Sequence, residues 1–133
     1  MNDYKNECVR PDYYEQLVDI RRLLKKVFHG YPFLRCQETT RLLYEILNLE
    51  ELAGEYTPKK SFHAWNYDSR LGLYIDLTQD QFNDNLDEIC ILPDSTTLLK
   101  EIPKETKYQR EYDDKNFSQQ IEMLVSVYNR GLF

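Results

Sequence analysis

The chain has 133 residues, 41% apolar and 14% aromatic, enough to build one domain with its own core and too rich in apolar groups for disorder or low complexity. Its 17 Lys and Arg against 23 Asp and Glu leave a net charge of −6, which repels phosphate and argues against a nucleic-acid partner. The opening Met1 to Cys8 holds no apolar leader core and no later run is long and apolar enough to span a membrane, so the expectation is a cytoplasmic protein, or an effector delivered without a signal peptide, forming a single domain over residues 1–133.

Taken in chain order, the first element is a helix entered at Pro11-Asp12. Asp12 and Glu15 have the spacing of a capping box, Tyr13, Leu17, Ile20, Leu24 and Val27 recur at helical spacing, and Gly30 supplies the stop. After a turn at Tyr31-Pro32-Phe33, residues 35–49 carry Cys36, Thr39, Thr40, Leu43, Ile46 and Leu47 on one face, which predicts a second helix opened by Cys36. From Tyr56 the pattern alternates. Ser61 to Tyr67 and Gly72 to Thr78 read as the arms of a β-hairpin turning through Asp68 to Leu71. Glu88 to Leu92 is a third strand ended by Pro93, and Leu98 to Ile102 is a weaker one. Residues 103–115 are charged and poorly patterned. Phe117, Ile121, Leu124 and Tyr128 then place a last amphipathic helix, ended by Gly131. Helices, then a small antiparallel sheet, then a helix describe an α+β domain.

The residues that can carry chemistry lie on these elements. A hairpin turning at Ser69-Arg70 sets His63 opposite Asp76 and Trp65 opposite Tyr74, with Phe62, Ala64, Leu73, Ile75 and Leu77 on the other face. From that position a carboxylate accepts a hydrogen bond from one imidazole nitrogen, fixing the tautomer and leaving the second nitrogen free. Cys36, at the first turn of a helix, meets unpaired N–H groups whose partial positive charge favours negative charge on sulfur, and those groups are suited to hold an oxyanion. Taken singly, each feature has a plainer reading: a cysteine on an apolar stripe is usually a small core residue, and a His–Asp pair is often only a hydrogen bond. Nucleophile, base and orienting acid together meet three requirements at once. Cys8 and Cys90 read as inert, and an odd number of cysteines without paired spacing argues against a disulfide framework or a zinc site.

The order Cys36, His63, Asp76, with His63-Ala-Trp65 and Asp76-Leu-Thr78 followed by Gln81-Phe82, resembles the papain-like and transglutaminase-like superfamily of cysteine enzymes, most nearly its small bacterial papain-fold domains of toxin and processing-peptidase type. The resemblance covers about residues 30 to 92. It implies a helix packed by its N-terminus against an antiparallel sheet, and a triad in which Cys36 attacks an acyl carbon, His63 moves the proton and Asp76 orients the imidazole. Where papain carries an oxyanion-hole glutamine this chain has Gly30, so Gln37, Trp65 and Gln81 are the candidates for oxyanion or substrate contact beside the Cys36 N–H. The implied activity is acyl transfer through a thioester, as amide hydrolysis, deamidation or transglutamination, on a protein or peptide amide and without cofactor or metal. The alternative is a non-catalytic protein-binding module that keeps the fold, to which eleven tyrosines and an acidic surface are suited.

Overall fold

The computed structural model describes residues 10–102 and 115–131. Cys8 and nearly all of the poorly patterned stretch 103–115 lie outside them. Helix α1 (Tyr14–Val27) buries Leu17, Ile20, Leu23 and Leu24. Its start differs from the capping box read from the sequence. The N-cap is Tyr13, with no side-chain cap bond. Asp12 and the N-cap residue are drawn toward the hairpin tip instead: Asp12 lies 3.5 Å from Arg70, and the Tyr13 hydroxyl donates to Asp68 at 2.7 Å. The helix ends before Gly30, at Phe28, whose N–H closes on Leu24 O.

Helix α2 (Cys36–Leu47) begins at the expected cysteine and ends two residues early, because Asn48 takes the left-handed conformation (φ 58°). That early stop releases strand β1 (Glu50–Tyr56), which the sequence reading did not include. Its alternation is present in Leu52, Gly54 and Tyr56, all buried, but Glu50, Glu51, Gly54 and Glu55 mask it with weak strand formers. Strands β2 (Ser61–Asp68) and β3 (Leu73–Asp76) form the hairpin, β4 (Cys90–Pro93) pairs with β3, and β5 (Leu99–Glu101) pairs with β1. The curled sheet has the order β4-β3-β2-β1-β5, every pair antiparallel. Helix α3 (Lys115–Asn129) follows.

The hairpin register corrects the expected one. Asn66 faces Ile75, Tyr67 faces Tyr74 and Asp68 faces Leu73, a slip of two residues from the pairing of His63 with Asp76. The cause is the turn. Asp68 Oδ1 accepts the amides of Arg70 and Leu71, and Gly72, with φ +66°, returns its N–H to Asp68 O, so four residues are spent between the strands. A slip by two preserves which face each side chain occupies.

The sheet separates two apolar clusters. On one face Ile75 and Leu77 pack with Leu17, Ile20 and Leu24 of α1, Leu42 and Leu43 of α2, and Ile121 and Leu124 of α3. On the other, Leu52, Tyr56, Trp65 and Leu99 gather Tyr74, Phe82 and Leu92. Among the described residues, no helix is long and apolar enough to cross a membrane.

Candidate active site

His63 and Asp76 meet despite the slipped register. Nε2 of the imidazole lies 2.7 Å from Asp76 Oδ2, a diagonal contact between residues that share a face, and both side chains are almost wholly buried. Asp76 ends β3, where the chain turns into the 3₁₀ segment Gln79–Gln81, and that turn wraps its carboxylate in donors. Oδ1 accepts the Thr78 N–H at 3.1 Å and the Thr78 hydroxyl at 3.4 Å. Oδ2 accepts Gln79 Nε2 at 3.0 Å beside the imidazole. A buried carboxylate needs such a set of donors to be tolerated.

The imidazole is walled by aromatic rings. Phe82 meets it edge-on at 5.1 Å and Trp65 lies near-parallel at 6.1 Å, while Tyr56 stacks on Phe82 at 4.3 Å. Burial pulls the proton affinity of His63 down, but the adjacent Asp76 carboxylate, by charge and by hydrogen bond, outweighs it, and Cys36 adds to the rise; the result is a pKa raised to about 10. Cys36 therefore stands close enough to act on the imidazole, yet Nδ1 of His63 has no partner at hydrogen-bonding geometry. One nitrogen is committed to the acid and the other has no hydrogen-bond partner.

Cys36 is the first residue of α2, so its N–H has no partner within the helix, and the N-cap residue Arg35 adds no side-chain cap. The helix is set on the sheet by Asn66, whose Nδ2 donates to Thr40 O at 3.0 Å. Asn66 follows His63 by three residues on β2, so one strand carries both the imidazole and the pin that holds the cysteine's helix. Cys36 is buried but belongs to neither apolar cluster.

The other candidates fall into different positions. Trp65 is 1% exposed and packs within the second cluster, so it walls the imidazole rather than facing solvent. Gln81 is half-buried and used as a tie: its Nε2 donates to Thr78 O, and its Oε1 accepts the Leu34 N–H at 3.4 Å, linking the acid's turn to the loop that leads into Cys36. Gln37 follows Cys36 in the first turn, half-buried, with its carbonyl accepting the Thr40 hydroxyl. Gln79, which sequence reasoning passed over in favour of Gln81, is the glutamine that touches Asp76. Nothing in the residue type separates the two; only the turn geometry does. Cys90, paired with Asp76 in the β3–β4 register, has its thiol pushed up to about 12 by burial and then by the carboxylates of Asp76 and Asp87, which keeps it protonated.

Among the described residues, no group of three or more His, Cys, Asp or Glu is arranged to hold a metal ion. No family model, no curated protein and no solved structure matches this chain.

Proposed function

We propose that the chain is a cysteine-dependent acyl-transfer enzyme of papain-like or transglutaminase-like kind, acting on a protein or peptide amide. In this reading the Cys36 sulfur attacks the amide carbon as a thiolate beside the protonated His63 ring, the thiol proton having already passed to solvent. The tetrahedral oxyanion is held by the Cys36 N–H at the start of α2, and the proton passes from His63 to the leaving amine, giving a thioester on Cys36. Water or a second amine then releases the acyl group, which gives hydrolysis, deamidation or transglutamination according to the leaving group and the acceptor. Asp76 holds the ring in place and balances the imidazolium.

The observation that carries the reading is a fully buried imidazole bonded to a buried carboxylate through Nε2, with Nδ1 unpartnered and a helix-opening thiol beside it. A merely structural histidine would be expected to satisfy both ring nitrogens. The test exploits a built-in control. Cys36 and Cys90 are 9% and 7% exposed, so access alone favours neither. With iodoacetamide near neutral pH, followed by mass mapping, Cys36 is expected to be alkylated at least about tenfold faster than Cys90 and to lose that advantage in His63→Ala. Equal rates, or an advantage that persists without His63, would make Cys36 a packing residue and the fold a binding scaffold.

A further inference from the structure

Arg21 of α1 is a charged residue only 4% exposed, and its partners lie on both sides of the candidate acid's turn. Nη1 and Nη2 fork onto the Asp80 carboxylate at 3.0 and 2.8 Å, and Nη1 also donates to Leu77 O and, at 3.3 Å, to Glu88 O. Leu77 follows Asp76 directly, and Asp80 follows Gln79. The guanidinium carbon lies 5.1 Å from the centre of the Tyr31 ring. The Tyr31 hydroxyl is 2.8 Å from Thr39 Oγ1 and 3.4 Å from Leu77 O. Because the Thr39 hydroxyl donates its own proton to Arg35 O at 2.8 Å, the proton between the two hydroxyls comes from Tyr31. Arg35 precedes Cys36, and Thr39 lies one turn beyond it. A single buried assembly thus grips both ends of the turn that follows the acid and both flanks of the thiol.

We propose that Arg21 and Tyr31 are positioning residues that set the separation between the Asp76 turn and the first turn of the Cys36 helix. The consequence for Cys36 rests on the acyl-transfer reading, whereas the consequence for His63 rests on geometry alone. A planar fork suits the task better than an ammonium, because one rigid group holds the Asp80 carboxylate through two nitrogens and reaches two carbonyls besides. The bracket makes no contact with the reacting atoms. It acts through Leu77 and Asp80 on the donors around Asp76, and through Thr39 on the helix start.

The experiment compares wild type with Arg21→Lys, which keeps the charge and loses the fork, and Tyr31→Phe, which removes one oxygen. Arg41→Lys is the control: Arg41 makes a similar double contact with Glu51 at 3.0 and 3.1 Å, tying α2 to β1 away from the Asp76 turn. Two quantities are read on folded protein, the titration of His63 by nitrogen-15 NMR and the iodoacetamide rate of Cys36 near neutral pH. In Arg21→Lys and Tyr31→Phe, His63 is expected to release its proton at least about one pH unit lower and Cys36 to react roughly tenfold more slowly, while Arg41→Lys changes only the melting temperature. Should Arg21→Lys not fold, Tyr31→Phe decides. A lowered His63 titration with Cys36 unchanged would support the bracket and sink the acyl-transfer reading. A His63 titration equal to wild type in the folded variants would overturn the bracket, whatever Cys36 does.

Discussion

An imidazole with 0% exposure should shed its proton readily, because burial penalises the charged form. Asp76 reverses that preference, and the reversal has a pH signature. His63 holds its proton more tightly folded, with its pKa raised from 6.5 to about 10, than unfolded. Its contribution is therefore complete below about pH 6.5, falls by up to roughly 1.4 kcal/mol per pH unit above it, and is gone once pH has risen through about 10. Chemical denaturation from pH 6 to 10.5 should show this decline in wild type and a flatter profile in His63→Gln; parallel profiles would mean that Asp76 does not hold the imidazolium. Gln79 offers a second check. Replacing it with Met removes a donor from a carboxylate that solvent does not reach, so Gln79→Met should cost about 1–3 kcal/mol by denaturation, whereas Gln81→Met, at a half-buried tie, should cost less than about 1 kcal/mol. The residue types of Cys36, His63 and Asp76 advertise their chemistry in the sequence. Gln79 and Arg21 do not, since their importance comes from what a turn and a neighbouring helix bring to them.

At the scale of elements, periodicity located α1, α2, α3 and the hairpin, while the features it missed were decided by contacts between elements. The Asp12 and Glu15 spacing was outweighed by Tyr13 reaching Asp68 across the fold. The hairpin register was set by how Asp68 and Gly72 close the turn rather than by the strands themselves. Strand β1 was hidden by its own Gly54, and that glycine is there for a partner. A Cβ at position 54 would sit 2.0 Å from the Lys100 carbonyl oxygen, so only glycine lets β5 approach β1. Gly54→Ala should cost about 1–3 kcal/mol, as an overpacked site does, and should free the edge strand first. Hydrogen exchange would report this as faster exchange of the Ile102 amide, which donates to Ala53 O, with the amides of the β2–β3 hairpin unaffected. Uniform acceleration across the sheet would contradict it.

Across the whole molecule, the sheet divides the work. Three helices are held to one face through the cluster around Leu17, Leu43 and Leu124, while the opposite face supplies the aromatic enclosure of His63. The site sits where the two meet, with Cys36 delivered by a helix of the first cluster and His63 and Asp76 lined with the second. Damage to the far end of the helical cluster should therefore reach stability before it reaches the site. Leu124 of α3 is fully buried among these helices, and Leu124→Ala should cost about 2–5 kcal/mol and lower the melting temperature by roughly 10 °C. In the fraction that remains folded, the Cys36 alkylation rate and the His63 titration should stay at wild-type values, because Arg21, Tyr31 and Asn66 fix the site without α3. Phe82→Ala, by contrast, opens the wall against His63, and should lower its proton affinity by letting water screen Asp76. Equal effects of the two substitutions on the His63 titration would show that the site and the helical core form one unit rather than two.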